Sequence, residues 1–393
     1  MDSNLEIMKI LVIYSRDIGL NDSGGARTTI QLLNYLVNKG CECYTTFNVL
    51  EGGSSNIQFL GKKEISIEYL NKTIVQKGID IFLVPEGRVY SELAFKSCVG
   101  TPCKVVSALH SKPGYERQRL GVLLRESVVY NKSLYKKIRA GICLILYPFF
   151  YYLYTGLEKY RFRKLYKYSH KIVLLAETFF EEFKNVYRIS DTKKFVAIGN
   201  ALSFDDFASR HEIENKKQQI LVVARFDERS KRISYVLKVW KRIQLLYPKW
   251  TLELVGNGRS WDYYTKLCKK NKLERVTFHG MQPPLNYYKE ASILIMTSAF
   301  EGWGMTITEA QQMGCVPIVM DTFSSLRILV DNNCNGVIVD DNLDDLTNKL
   351  ENLIIDNDIR KKLAMNAVIS SKRFVKEIVC EKYYQLFNEL INE

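Results

Sequence analysis

Short apolar runs recur along this 393-residue chain, each bounded by glycine or by polar turns. Lys9–Tyr14, Cys43–Phe47, Ile79–Val84, Cys103–Leu109, Lys171–Leu175 and Phe195–Ile198 form a first set. Gln219–Ala224, Thr251–Val255, Val276–Met281, Ser292–Thr297, Val316–Met320 and Asn335–Val339 form a second. Near-continuous apolar runs of this length fit strands covered on both faces, as in parallel sheets. Helical spacing separates them. From about Thr28 to Lys39, Ile30, Leu33 and Val37 share one face, and Gly40 suits a C-terminal cap. The turn before that helix, Asp22–Ala26, carries the pair Gly24 and Gly25, a Rossmann-like opening. No G-x-G-x-x-G is present, so nicotinamide binding is not supported. Between the two sets, Ser203–Gln219 is mostly polar and reads as linker or edge. The chain length suits two domains.

The stretch Ser298–Ala310, SAFEGWGMTITEA, joins two of these strands through a glycine-bearing loop and a short helix. Free N–H groups and the dipole at a helix start make a site for phosphate. Gly302 and Gly304 allow close backbone approach, with Met305 and Thr306 at the helix start. Glu301 and Glu309 bracket the site, and carboxylates accept hydrogen bonds from sugar hydroxyls. Phosphate donors beside hydroxyl acceptors point to a sugar nucleotide.

This stretch resembles the E-x7-E motif of family-4 retaining glycosyltransferases, E-G-F-G-x-x-x-x-E-A, with Trp303 in place of Phe. The resemblance implies the GT-B fold: α/β, two Rossmann-like domains facing a central cleft, the last helix crossing back to the first. The expected boundaries are 1–202 on the acceptor side, 203–375 for the nucleotide sugar, and 376–393 for the returning helix. Other segments are similar to the family's in turn. Arg225 leaves a strand and Lys231 follows six residues later, suited to a diphosphate as a fork and a point charge; Arg229 and Arg232 are alternatives. Val255-Gly256-Asn-Gly258 resembles L-V-G-x-G. Val276–Gly280, followed by Met281, resembles V-x-F-x-G, whose backbone borders the nucleobase in the family. Gly199-Asn200-Ala201 resembles the I-x-N-P hinge, with Ala201 for Pro. His110 ends a strand of the first domain where family members carry a His that touches the donor sugar. Gly24 and Gly25 occupy the place of a family glycine loop near the donor phosphate or acceptor; a plain turn explains them as well.

The implied reaction is retaining transfer from a nucleotide diphosphate sugar, with Glu301, Arg225, Lys231 and His110 at the reacting centre. Glu309 would take the ribose hydroxyls. No cofactor is expected beyond the donor substrate. No metal is expected either: the only D-x-D, Asp356-Asn-Asp358, reads as turn chemistry. A sugar-nucleotide epimerase or phosphorylase on the same fold, or a non-catalytic membrane-binding scaffold, are the rival readings.

Charge alters the picture in one place. The net +13 is regional: Ser111–Lys171 holds 14 Lys/Arg against three Glu. Within it, Ala140–Leu157 has no charge and is crowded with Tyr and Phe. As one helix it would span ~27 Å, close to a bilayer core. A crossing there would place Val105 and Val173 on opposite sides, so an interfacial segment on an anionic leaflet is the preferred expectation. A core helix with solvated basic neighbours is the alternative. No nucleic-acid motif is present. The nine cysteines are scattered, without C-x-x-C, and no basic-apolar leader precedes the first strand. The expected place is cytoplasmic, peripheral on the inner face of the plasma membrane. The expected acceptor is a glycan or lipid-linked glycan of a bacterial surface polysaccharide.

Overall fold

The computed structural model describes residues 7–20, 22, 24–61, 65–114 and 133–393. The part of the basic segment at 115–132 and Ser23 of the glycine turn lie outside the described residues. Two compact units result: Met1–Ala201 with Lys376–Glu393, and Leu202–Val375.

The first unit is built on a parallel sheet. Its strands are β1 (Lys9–Val12), β2 (Glu42–Thr45), β3 (Gln58–Phe59), β4 (Ile81–Val84), β5 (Lys104–Leu109), β6 (Lys171–Leu174) and β7 (Phe195–Ala197). Their order is β3-β2-β1-β4-β5-β6-β7. Chain direction across the sheet reverses between β1 and β4, where Ile10 pairs with Ile81 and Val12 with Leu83. Such a switch point opens a crevice at the carboxyl ends of the two strands. The C-terminal helix, Lys376–Asn392, belongs to this unit because its apolar face completes the core. Val379, Tyr383 and Phe387 are buried with Ile30, Leu33 and Leu36. Lys39 pairs with Glu381 at 3.0 Å, and Tyr35 donates to the same carboxylate.

The second unit holds β8 (Lys217–Val223), β9 (Thr251–Val255), β10 (Val276–Gly280), β11 (Ala291–Met296), β12 (Val316–Met320) and β13 (Val337–Val339). These pair in parallel in the order β10-β9-β8-β11-β12-β13, with the switch between β8 and β11. The helix Ile233–Ile243 shows why the layers close. Ile233, Val236, Leu237, Trp240 and Ile243 recur at helical spacing and are all buried.

Three local readings change. The helix after β1 starts at Gly24, so Gly24 and Gly25 form its first turn rather than a preceding loop. The hydroxyls of Thr28 and Thr29 return to the carbonyls of Gly24 and Gly25, each at 2.9 Å. That bonding accommodates two β-branched residues beside two poor helix formers. Ser203–Gln219 is not a linker. Ser209 and Glu212 form a reciprocal capping box that starts the helix Arg210–Glu214, and β8 begins at Lys217. The uncharged segment is not one helix. It divides into Leu134–Ile145 and Tyr147–Lys167, bent by 64° at the intervening residue. Leu146 caps both, and Pro148 lies in the first turn of the second. Among the described residues no single helix is long and apolar enough to cross a membrane. Asp356 does serve as a cap, accepting from the Ile359 N–H at 2.8 Å.

Candidate functional site

The second unit gathers its chemistry where β8 and β11 end. After β8 the chain runs through Arg225 to the short helix Glu228–Lys231, and Arg232 turns it with φ +48°. Arg232 then ties this loop to the one after β11. Its Nε donates to the Thr297 carbonyl at 2.7 Å, and its Nη1 reaches Asp341 at 2.9 Å. In return Thr297 Oγ1 donates to the Lys231 carbonyl at 2.8 Å, and the Ala299 N–H to the Ser230 carbonyl at 2.8 Å. This lacing brings Lys231 to Glu301, and the Lys231 ammonium donates directly to the Glu301 carboxylate in a half-buried ion pair. Arg232 is therefore committed to structure. Arg229 also has a partner within the fold. Arg225 differs: its side chain is 61% exposed, and its nearest carboxylate, Asp227, is 3.7 Å away. Asp227 is itself held by Arg259 at 2.7 Å.

Beyond Glu301, Gly304 takes φ +100° and caps the helix Met305–Gln312. The first N–H groups of a helix, here those of Met305 and Thr306, have no acceptor within it. The carbonyl of Gly302 accepts from Ser325 Oγ at 3.0 Å, which fixes the loop from below. Trp303 is buried and meets Phe374 edge to face at 5.5 Å, so the aromatic in this loop is a packing anchor. Glu309 is only 3% exposed. One of its oxygens accepts from Ser203 Oγ at 2.5 Å, and the other from the Tyr288 hydroxyl at 2.9 Å. Burying a carboxylate is costly unless hydrogen bonds replace those it made to water. Neither Ser203 nor Tyr288 stood out in the sequence. Ser203 sat in the stretch read as linker, and Tyr288 lies on a six-residue helix with no motif of its own.

Gly256 and Gly280 meet through a backbone bond of 2.7 Å, from the Gly256 N–H to the Gly280 carbonyl. A side chain at Gly256 would lie 1.8 Å from the Ala224 carbonyl oxygen. Met281, next along, is 72% exposed. His279 bonds Glu253 at 2.7 Å and its ring lies tilted against Tyr287 at 4.6 Å, a local structural arrangement.

In the first unit, His110 follows β5 and Asn200 follows β7. The His110 ring lies against the first turn of the helix after β1: a Cβ at Gly25 would be 3.0 Å from it. Burial pushes the imidazole pKa down to about 4, against a smaller opposing effect of Asn200, so the ring is neutral at pH 7. His110 Nδ1 and Asn200 Oδ1 are buried and have no hydrogen-bond partner among the described residues. At the switch point itself sits a pair that sequence reasoning missed. Glu86, just past β4, accepts from the Ser15 N–H at 2.7 Å and the Ser15 hydroxyl at 3.0 Å, just past β1. Only the strand order could have paired them. Thus Gly24, Gly25 and His110 come together in one unit. Arg225, Lys231, Glu301, Gly302, Gly304, Met305, Thr306 and Glu309 come together in the other, with Gly256, Gly280 and Met281 on neighbouring strand ends.

Among the described residues no group of three or more His, Cys, Asp or Glu could hold a metal ion.

Residues 203–368 match the family model of the glycosyl transferases group 1. The amylovoran biosynthesis glycosyltransferase AmsD of Erwinia amylovora is 25% identical over 229 residues, covering 56% of this chain and 62% of that protein. A 41.2 kDa protein in the cps region of Klebsiella pneumoniae is 26% identical over 275 residues, covering 65% and 72%. The match thus spans under two thirds of the first relative's length. Among solved structures, Anabaena Alr3699/HepE in complex with UDP superposes with a TM-score of 0.71 at 14% identity, covering 97% of this chain and all of that one. The lipopolysaccharide outer core galactosyltransferase WaaB gives 0.65 at 16% identity, with 97% and 100% covered. The chain therefore has the GT-B fold of two Rossmann-like units, and residues 203–368 of its second unit match the group 1 glycosyltransferase model.

Proposed function

We propose that this protein transfers a sugar from a nucleotide diphosphate sugar to a glycan acceptor with retention of anomeric configuration. The observation that carries the reading is the lacing of the Arg225–Lys231 loop to the Glu301–Glu309 segment at the ends of β8 and β11. It puts cations and helix-start N–H groups beside two carboxylates with different surroundings.

Arg225, exposed and forked, and Lys231 neutralise the departing diphosphate, with the Met305 and Thr306 N–H groups adding donors. Lys231 leaves its contact with Glu301 as the phosphate arrives, and Glu301 is then available to the hydroxyls of the donor sugar. Glu309, held by Ser203 and Tyr288, takes the ribose hydroxyls. The backbone at Gly256, Gly280 and Met281 borders the base. In the first unit, neutral His110 borders the transferred sugar, with Gly24 and Gly25 beside it. Glu86 takes acceptor hydroxyls at the switch point. The bond from the anomeric carbon to the diphosphate breaks, and a bond to the acceptor oxygen forms on the same face. The acceptor proton passes to the leaving phosphate oxygen, so no protein nucleophile and no metal is required.

The relatives named for amylovoran biosynthesis, the cps region and the lipopolysaccharide outer core favour a bacterial surface polysaccharide as the pathway. A lipid-linked acceptor, and a peripheral place on the cytoplasmic face of an anionic membrane, accord with the basic aromatic segment of the first unit. The test is transfer followed by product NMR. An axial or equatorial linkage opposite to the donor's would overturn retention, and transfer that survives Glu309→Ala would overturn the site.

A further inference from the structure

We propose that the bent helix pair Leu134–Ile145 and Tyr147–Lys167 is a membrane wedge, whose apex around Leu146 enters the hydrocarbon boundary while basic residues at its outer ends rest among anionic headgroups. This deepens the membrane part of the reading above and is separable from the transfer chemistry.

The two legs repeat one pattern. Leu134, Ile138, Ile142 and Ile145 are spaced by four, four and three residues, as are Phe149, Leu153, Leu157 and Tyr160. Each set lies on one face of its helix, and every one of these eight side chains is exposed. On either side of the bend, Ile145 is 80% exposed and Phe149 66%. In an isolated protein such faces are covered by something.

The second leg is fastened at its far end. Glu158, Phe162 and Leu165 are buried on the side opposite the apolar stripe. Phe162 stacks on Tyr187 at 3.8 Å, and Lys164 pairs with Glu92 at 2.6 Å. The second leg is therefore anchored through the face away from its apolar stripe. In the first leg Ala140 is buried.

Charge selects the occupant. At about 100° per residue, Lys137 and Arg139 fall roughly 100° to either side of the first stripe's centre. Long basic side chains in that position lay their stems along the apolar face and carry their charge to the headgroups. Lys159, Arg161 and Arg163 frame the far end of the second stripe in the same way. An anionic lipid surface complements both collars. A second copy of the same pair would bring like charges together. The 64° bend, and the charged residues that fill the second half of the second leg, fit entry from one side rather than a crossing.

The experiment uses the full chain with vesicles of phosphatidylcholine alone or mixed with phosphatidylglycerol. Expected is binding to the mixed vesicles, weakened by salt and by neutralising Lys136, Lys137, Arg161 and Arg163. The pair Ile145→Ser and Phe149→Ser, which leaves every charge in place, should weaken binding by roughly tenfold or more. In a Phe149→Trp variant the new indole should be quenched by brominated acyl chains, whereas in a Lys159→Trp variant it should not. Unchanged vesicle binding by the serine pair, or an unquenched Trp at 149 in the bound state, would overturn the wedge. So would concentration-dependent dimers in lipid-free solution that the serine pair abolishes. Nucleotide-sugar binding by the same variants is read in parallel. Its absence in wild type would sink the transfer reading and leave the wedge standing.

Discussion

Replacing Tyr288 by Phe removes one hydroxyl from a buried site and nothing else. The ring, fully buried and near Phe204 at 6.1 Å, keeps its packing. Glu309 loses the donor at 2.9 Å on one oxygen and keeps Ser203 at 2.5 Å on the other. A hydrogen bond to a charged group contributes about 1.5–3 kcal/mol. For a unit of this size each kcal/mol shifts the melting temperature by about 2–4 °C, so a fall of about 3–12 °C is expected by thermal melt. Stability alone would not separate a structural tyrosine from one that positions Glu309. The discriminating assay is calorimetric titration with a nucleoside diphosphate and its 2′-deoxy analogue. If Glu309 takes the ribose hydroxyls, wild type prefers the ribose form, and the loosened carboxylate narrows that preference by about 1 kcal/mol, roughly fivefold. A variant that melts earlier yet discriminates ribose from deoxyribose as well as wild type would refute the positioning argument. A variant that melts within about 0.5 kcal/mol of wild type would refute the energetic one.

Burial lowers His110 to about 4 from its usual 6.5, so the folded first unit holds the ring neutral while the unfolded chain protonates it. The associated stability is fully present above pH 6.5 and drains away as pH falls toward 4, by at most about 3 kcal/mol. Urea unfolding of His110→Gln should show a flatter profile across that window than wild type. Gly256→Ala drives a Cβ to 1.8 Å from a carbonyl oxygen at φ +136°, whereas at Gly280, φ +73°, a Cβ meets nothing within 4 Å. The first should cost about 3 kcal/mol or more by circular dichroism melt and the second about 1. Glu86→Gln keeps the shape at the switch point and weakens its acceptance from Ser15; KM for the acceptor should rise several-fold while donor affinity holds. An unchanged acceptor KM would remove Glu86 from the acceptor side.

Elements with a strong periodic signal were legible from the chain alone. β9 and β12 run over the residues that their apolar runs mark, because nothing else in their surroundings competes. The E-x7-E stretch was legible as chemistry because glycine, carboxylate and helix start lie close in sequence. Contacts that depend on strand order were not. Ser15 and Glu86 are 71 residues apart and meet only because β1 and β4 are neighbours. Ser203 and Glu309 are 106 apart. The same limit hid the role of Arg232, whose spacing matched a phosphate ligand but whose guanidinium is spent on the Thr297 carbonyl and Asp341. The uncharged segment showed its composition but not its bend, since Leu146 and Pro148 act through local geometry that a hydropathy window averages away.

The central claim is that the loop from Arg225 to Lys231 receives the diphosphate of a sugar nucleotide. A binding screen of the purified protein against UDP-, GDP- and other nucleotide sugars, repeated with Arg225→Ala and Lys231→Ala, tests it most directly. One nucleotide sugar should bind saturably to wild type, each variant should weaken it at least tenfold, and the sugar-free diphosphate should be affected alike. A protein that binds none of them, or whose two variants bind as wild type does, contradicts the account.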